Sequence, residues 1–485
     1  MSDQGMHVQP SSTAIEDRAA TAQLEKMGYQ QELKRAMNVW ELTAFGINYM
    51  IPIAPAIIFG FILQTSGGTV AIPYFLAGIG MLFTAGSYAV MVRNYPLAGS
   101  LYSYVSRGIQ AHVGFMSGWV LMLDYVFIPT VTSASAAIYI GTFVPGVPYE
   151  VWLVLFAVVM GMLNIFGVEL LAKLGIWMLF IGEAVVFAGF FVWAYAVGVH
   201  HVGVGTVLST MPFKFTSWSA VMGATSLAVL SYTGFDAITT LAEESHNPKR
   251  DIPKAIYWAV GIGMLTMVLT GYFGMLPIPD WRQHISNVTW ASTTLMQVSR
   301  ITGGPGFAAF YAAGYLLAMA VFNVVATAAG ARLLYGMGRD GMLPKQVFAA
   351  IGKRWKTPHW NIVIIVAIEF ILGSVMNVAN ISSLINYGAL AGFAMLNLSV
   401  IWLYYVRRKG VGPERLGEPA NWRPQARDWV RLFLMPGLGF IVLAWVFSSL
   451  DRVALTVGTA WLILGLVYTA IKTRGFKEKP PQLEL

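Results

Sequence analysis

Trp40-Glu41-Leu42-Thr43-Ala44-Phe45-Gly46-Ile47-Asn48-Tyr49-Met50-Ile51-Pro52-Ile53-Ala54-Pro55 opens the first long apolar run of the chain. Two prolines three residues apart follow a glycine and an asparagine. Each proline removes a backbone donor, and its ring clashes with the preceding turn, so this stretch cannot form an uninterrupted helix. A later run reads Leu230-Ser231-Tyr232-Thr233-Gly234-Phe235-Asp236-Ala237-Ile238-Thr239-Thr240. Here a glycine and an aspartate interrupt an apolar segment. Irregular backbone at membrane depth survives only where it is buried in protein or lines a cavity. An ionisable residue there marks a functional site by default. The plainer alternatives are a proline kink in the first run and, in the second, an aspartate satisfied by neighbouring helices.

The membrane setting follows from composition. Of 485 residues, 56% are hydrophobic and 11% charged, against about 25% charged in soluble domains. Mean hydropathy is +0.63. A soluble multidomain enzyme, a disordered chain, a collagen-like repeat and a disulfide scaffold are excluded. The long unbroken apolar runs also exclude a barrel, whose strands alternate over segments of about ten residues. Cysteine is absent, so there is no disulfide, thiolate metal site or cysteine nucleophile. The polar first 36 residues lack the pattern of a signal peptide.

Apolar segments of about 20 residues read as spans, and twelve are expected: 38–64, 69–92, 113–146, 150–168, 174–198, 219–242, 254–277, 306–331, 361–377, 380–406, 432–449 and 453–471. With both termini inside, 27 of the 31 Lys and Arg residues fall on the inner side; only Lys214, Arg282, Arg300 and Arg452 fall outside. The positive-inside rule then puts both termini in the cytoplasm, in a multi-pass protein of the cell (inner) membrane. Basic runs such as Arg407-Arg408-Lys409 read as topological anchors, which removes nucleic acid as a partner and leaves membrane lipid. The expected organisation is a cytoplasmic tail at 1–36, a core of ten helices at 37–406, and at 407–485 an inner loop, two further helices and a cytoplasmic tail. Outside, 278–305 reads as a surface segment with a short amphipathic piece holding Trp281, His284 and Trp290. The sequon at Asn287-Val288-Thr289 reads as chance. The two interrupted spans are the first and the sixth. That spacing fits a five-plus-five inverted repeat, whose paired broken helices point to a midplane substrate site.

Three strings point to one family: Tyr95-Pro96-Leu97-Ala98-Gly99-Ser100-Leu101-Tyr102-Ser103-Tyr104, Glu243-Glu244-Ser245-His246-Asn247-Pro248-Lys249-Arg250-Asp251-Ile252-Pro253-Lys254-Ala255-Ile256, and Arg332-Leu333-Leu334-Tyr335-Gly336-Met337-Gly338-Arg339-Asp340-Gly341-Met342-Leu343-Pro344. Together they resemble the amino acid–polyamine–organocation (APC) superfamily of transporters over most of 37–406. Gly46-Ile47-Asn48-Tyr49-Met50-Ile51-Pro52, and Gly114-Phe115-Met116-Ser117-Gly118-Trp119 running on to Leu123-Asp124-Tyr125 and Pro129, resemble bacterial putrescine importer-like permeases. The resemblance implies a LeuT-type fold with broken helices 1 and 6, alternating access, and import driven by an ion gradient.

Amino-acid members of the superfamily usually carry a glycine-rich break in the first span, where free N–H groups at a half-helix end hold the substrate carboxylate. This sequence departs from that pattern. Residues 47–55 contain no glycine, and Pro52 and Pro55 offer no N–H. The complementary feature is acidic. Asp124, Glu183, Asp236 and Glu369 lie within apolar stretches, with no Lys or Arg deep in any span. A cationic amine is the natural counter-ion, with Asp236 as its main partner. Tyr49, Tyr125, Tyr232 and Phe235 are the aromatic candidates for cation–π attraction of about 0.5–2 kcal/mol, ordinary packing being the alternative for each. The expected substrate site therefore comprises Asn48, Tyr49, Met50, Asp124, Tyr125, Tyr232, Phe235 and Asp236. Asp124 faces that site or caps a neighbouring helix.

The expected function is a secondary active transporter importing a small cationic amine or polyamine such as putrescine, coupled to protons. Asp236 and Glu183 are the coupling candidates, since burial favours the neutral acid that a proton carrier needs; a structural protonated Glu183 is the alternative. Asn323 and Thr327 offer oxygens for Na⁺, a weaker reading because such residues also bridge helices. Glu369 reads as structural. Glu243, Glu244, Arg250, Arg332 and Arg339 are inner-gate candidates, with solvated surface charge as the alternative. His200 and His201 lack a third partner for a metal. Gly303-Gly304-Pro305-Gly306 lacks the Lys and Ser/Thr of a phosphate loop and reads as a turn into the eighth span. No cofactor, metal or enzymatic activity is expected. An amino-acid permease of the same superfamily is one alternative; a membrane-embedded nutrient sensor or channel is another. A homodimer is compatible with the chain.

Overall fold

The computed structural model describes residues 37–50, 54–96, 101–166, 169–242, 244–339, 343–352, 355, 357–407, 428–478 and 480, with the backbone alone at 169–183 and 339. The described residues form helices in the order α1 Val39–Tyr49, α2 Pro55–Ser66, α3 Ala71–Asn94, α4 Leu101–Gly108, α5 Ala111–Phe143, α6 Tyr149–Phe166, α7 Glu169–Gly198 and α8 Trp218–Ala228, followed by α9 Pro248–Phe273, α10 Val288–Ser292, α11 Thr294–Arg339, α12 His359–Val375, α13 Val378–Ile401, α14 Met435–Ser448 and α15 Arg452–Lys472. Nine helical stretches among the described residues are long and apolar enough to cross a membrane; Pro55–Ser66, Ala184–Gly198 and His359–Val375 are shorter apolar helices. The chain is an all-helical, polytopic membrane protein.

Local sequence sets the helix ends. Asn38 caps α1: its side chain accepts from the Trp40 and Glu41 amides at 2.9 and 3.1 Å, and the Glu41 carboxylate returns the bond to the Asn38 amide at 2.8 Å. Such a box is worth about 1 kcal/mol. Ser217, Asn377 and Asp451 cap α8, α13 and α15 more simply, each side chain accepting from the amide three residues on. Asn287 of the sequon also has a local reason to be there, since its side chain caps α10 through the Trp290 amide at 3.0 Å. The outer segment holds a short turn at Trp281–Gln283, α10, and the first part of α11 from Thr294. The glycine run turns the chain as expected: α11 is two helices joined at Gly304, whose φ of 76° and ψ of −177° leave the helical region just before Pro305.

Burial separates a centre from a rim. Of the most apolar part of Trp218–Leu241, 94% is buried; in α15 only 22% is. Outward residues such as Ile441, Trp445, Ile463, Leu464 and Ile471 are exposed. An apolar face of that extent is unfavourable in water and suits a lipid surround. Polar side chains tie the helices together. Ser87 donates to Asn397 at 2.5 Å, which donates to Thr84 at 3.1 Å, joining α3 to α13. Asn386 on α13 donates to the Ser226 carbonyl of α8 at 2.6 Å.

Both interrupted segments are broken at the centre. α1 ends at Tyr49, and α2 starts with Pro55 in its first turn, where the missing N–H costs nothing; 51–53, with Pro52, lie outside the described residues. After α8, the chain tightens into a 3₁₀ turn at Val229–Tyr232, extends at Thr233, takes a left-handed conformation at Gly234 (φ 104°), and resumes as a 3₁₀ helix at Phe235–Leu241. The two breaks touch. A Cβ on Gly234 would stand 2.5 Å from the Tyr49 carbonyl oxygen, so glycine is required there for both its φ and the close approach. Further along, Met37 pairs with the chain beyond the second break. Its amide donates to the Glu244 carbonyl at 3.0 Å and its carbonyl accepts from the His246 amide at 3.3 Å.

Candidate functional site

The meeting point of the two breaks opens onto a cavity lined by Tyr49, Asp124, Tyr125, Ile128, Gly234, Asp236 and Ala326. It is narrow, and the walls must part to admit anything larger than roughly one water. Asp124 and Ile128 lie four residues apart on α5 and so share one face. α11 closes the far wall with Ala326, and its Gly330 sits where a Cβ would be 2.8 Å from the Tyr125 carbonyl. Pro129 has no N–H to give that carbonyl, so the acceptor is freed beside the cavity.

The two carboxyls are both buried, at 4% exposure for Asp236 and 3% for Asp124. Tyr88 on α3 donates to Asp236 Oδ2 at a long 3.5 Å, and Thr239 fixes the local turn by donating to the Asp236 carbonyl at 2.7 Å. Asp124 Oδ1 is buried without a hydrogen-bond partner. The lining residues include no Lys, Arg or His. The cavity therefore presents two acids, a freed carbonyl and two phenols. That set accepts hydrogen bonds and positive charge, and offers little to an anion.

Four of the eight expected substrate residues, Tyr49, Asp124, Tyr125 and Asp236, line the cavity; Asn48, Met50, Tyr232 and Phe235 are not among its lining residues. Met50 is buried and packs towards Gly263 of α9. Tyr232 spends its hydroxyl on the Tyr74 carbonyl at 2.7 Å. Phe235 joins Tyr88 and Phe393 in an aromatic cluster, with ring centroids 5.6 and 5.3 Å away. Asn48 ends α1 beside Tyr49. Sequence reasoning missed Ile128, Ala326 and Tyr88. The four-residue step from Asp124 was a usable signal for Ile128; for Tyr88 there was none.

The remaining candidates are spread out. Glu183 lies on α7, and its side chain is outside the described residues, as are Glu243 and the side chain of Arg339. Arg250 is exposed and pairs loosely with its neighbour Asp251 at 3.9 Å. Arg332 is exposed on α11, and Glu244 is half-buried. Asn323 and Thr327 sit on α11 in a buried cluster with Glu369. His200 packs on Tyr195, and His201 contacts the Gly205 carbonyl at 3.1 Å. Among the described residues no group of three His, Cys, Asp or Glu side chains is placed to hold a metal.

Helices that break in pairs around a buried, charged cavity define a polytopic membrane transporter. The family model for amino acid permeases matches residues 42–412. The chain is 31% identical over 462 residues to the low-affinity putrescine importer PlaP of Escherichia coli, covering 93% of this chain and 97% of that protein. It is 24% identical to the branched-chain amino acid permease BcaP of Bacillus subtilis, covering 95% and 97%, and 24% identical to the methylthioribose transporter of the same organism, covering 92% and 95%. The chain belongs to the amino acid permease family of the APC superfamily and is a transporter, not an enzyme.

Proposed function

We propose that this transporter imports a small cationic amine, with a diamine of the putrescine kind as its substrate, by alternating access. The observation that carries the reading is a buried cavity between two broken helices that is lined by two carboxyls and by no basic side chain. Asp236 is the ammonium partner. Asp124 and the freed Tyr125 carbonyl meet the second polar end, and the Tyr49 and Tyr125 rings flank the cation. Asn48, Met50, Tyr232 and Phe235 shape the second layer. The similarity to PlaP, a putrescine importer, points the same way.

In this reading the architecture is a LeuT-type five-plus-five inverted repeat of twelve spans. α1 with α2 is the broken first span, and Trp218–Leu241 is the broken sixth. Residues 37–406 form the core, and 407–485 add two peripheral helices and a tail; residues 1–36 are a cytoplasmic tail. Both termini lie in the cytoplasm, and the protein resides in the inner membrane, alone or as a homodimer. Glu243, Glu244, Arg250, Arg332 and Arg339 close the inner end. Import is coupled to H⁺ rather than Na⁺; Asp236 and Glu183 are the coupling candidates that the sequence offers.

The test is uptake of labelled putrescine by purified protein in liposomes, with competition by primary amines that lack a carboxylate and by leucine. Saturable uptake displaced by the amines and untouched by leucine is expected. Displacement by leucine alone would replace this reading with that of an amino-acid permease, and non-saturable flux would replace it with that of a channel.

A further inference from the structure

Away from the cavity the chain buries a third carboxyl. Glu369 on α12 has no exposed surface. Its Oε2 accepts from the Ser133 hydroxyl of α5 and from the Asn323 amide of α11, the latter at 3.3 Å. Its Oε1 is buried with no hydrogen-bond partner. The Asn323 amide nitrogen also stands 3.0 Å from the Pro129 carbonyl, 2.9 Å from Thr132 Oγ1 and 3.0 Å from Ser133 Oγ. Four oxygens thus compete for two amide hydrogens. The Thr132 hydroxyl is already spent on the Pro129 carbonyl at 2.8 Å. Only the Ser133 hydroxyl and a shared Asn323 amide serve the carboxyl, and Oε1 is left unserved, so the cluster does not compensate an ionised carboxylate and suits the neutral acid better.

Charge gives the same answer. An ionised carboxylate here would be buried against two neutral donors and no cation, which is strongly unfavourable. Of the titratable groups on the elements packed against α12, α5 brings His112, Asp124, Tyr125 and Tyr139, α11 brings Arg300, Tyr311, Tyr315, Arg332 and Tyr335, α6 brings Tyr149 and Glu150, and α13 brings Tyr387, while the single turn Lys345–Phe348 brings Lys345. Among the described contacts, Glu369 is bonded to Ser133 and Asn323 and to none of these. Arg332 and Lys345 lie towards the other end of α12: Asn361 donates to the Ala331 and Phe348 carbonyls, eight residues or about 12 Å of helix before Glu369.

The cluster is also the next layer of the cavity wall. Thr132 is one turn beyond Ile128 on α5, and Asn323 is one turn before Ala326 on α11; Ile128 and Ala326 line the cavity. A gain or loss of charge at Glu369 therefore acts on the two helices that form that wall.

We propose that Glu369 is a proton-binding site of the transport cycle, taking up and releasing one proton per turnover while Asp236 and Asp124 meet the substrate. This rests on the transport reading above and moves the proton from Glu183 and Asp236 to a residue that sequence alone reads as structural.

The experiment compares the full-length parent with Glu369→Gln, which keeps the shape and neutrality of the protonated acid. In liposomes, Glu369→Gln is expected to exchange labelled for unlabelled putrescine within about twofold of the parent, while accumulation driven by an imposed pH gradient falls to the level of equilibration. Parent-like accumulation by the variant overturns the proposal, as does parent uptake that follows only a sodium gradient. An infrared difference spectrum between acid and alkaline buffer tests the site without any substrate. The parent shows the carbonyl band of a buried neutral carboxyl and the variant lacks it; an unchanged band overturns the assignment. Failure of the parent to carry putrescine while the band is lost in the variant would instead strike the substrate reading alone. Should Glu369→Gln not fold, Ser133→Ala removes one donor to the ionised form. It is expected to move the band's pH midpoint towards alkaline pH, and an unmoved midpoint counts against the site.

Discussion

Asp236 and Glu369 are both buried carboxyls in the apolar interior, yet the chain treats them differently. Asp236 follows a glycine at a helix break, takes a long side-chain contact from Tyr88 beside the amides of its own turn, and faces a cavity with a second acid. Glu369 sits in the unbroken helix α12, fully buried and bonded to Ser133 and Asn323 of two neighbouring helices. At a break the freed backbone groups can hold the carboxyl from one side and leave its other side turned to a cavity. A carboxyl in a continuous helix must be satisfied by side chains from neighbouring helices, and this arrangement fixes its geometry. The difference is between a site shaped for a substrate and one shaped for a proton.

The sharpest way to break this comparison is Asp236→Asn. If Asp236 is the ammonium partner, neutralising it removes one side of a buried ion pair, worth about 3 kcal/mol, and putrescine uptake in liposomes falls by roughly 100-fold. Glu369→Gln leaves exchange nearly intact by contrast. Equal losses of exchange in the two variants would erase the distinction.

Gly234→Ala tests the break itself. The new Cβ meets the Tyr49 carbonyl at 2.5 Å and must adopt a φ of 104°. Strain of about 1–3 kcal/mol is expected, seen as a lower thermal midpoint in detergent and roughly tenfold slower uptake. An alanine protein with parent stability would mean that the two breaks do not need to touch. A milder probe uses the absence of native cysteine. Met37 and Ser245 pair as neighbouring strands do, at about 4.8 Å, within disulfide reach. Oxidised Met37→Cys/Ser245→Cys is expected to hold the two broken rods together and to cut uptake severalfold, with recovery on reduction. Uptake indifferent to oxidation would show that the rods never part at that end.

What the sequence made legible was whatever backbone chemistry enforces. Two prolines close together after Asn48, and Gly234 beside Asp236, disfavour a continuous helix, so both interruptions could be read from a few residues. Asp236 and Asp124 stood out because charge in an apolar run is costly. The rest depended on packing. Tyr232 and Phe235 flank the break in sequence, but their side chains leave it for Tyr74 and Phe393, and nothing local fixes that direction. Ile128 and Ala326 reach the cavity through helix phase, which follows only once α5 and α11 are placed side by side. Glu369 looked structural because its partners are scattered over two other helices, at Ser133 and Asn323. The glycine run at 303–306 was legible as a turn for the same reason as the two breaks: Gly304 takes a non-helical φ of 76° between two helices, just before Pro305.

The smallest expected effect on transport, and the control for all the others, is at the rim. α15 docks on α5 through Trp461 and Trp119, whose rings stack at 4.8 Å and whose indole N–H groups each donate to the other's carbonyl, at 3.0 and 2.9 Å. Gly465 lies under the Trp119 ring and Gly458 under Tyr387, which lets the helix approach closely. Trp461→Phe keeps a ring and loses one hydrogen bond, worth about 0.6 kcal/mol between membrane helices. Trp461→Ala also loses the stack and opens a gap, for a cost of about 3 kcal/mol. If α15 only encloses the core, Trp461→Ala lowers the thermal midpoint clearly while uptake per folded molecule stays within roughly twofold of the parent. A folded Trp461→Ala protein that loses uptake as Asp236→Asn does would place α15 inside the transport cycle, and the division between a working centre and an enclosing rim would no longer hold.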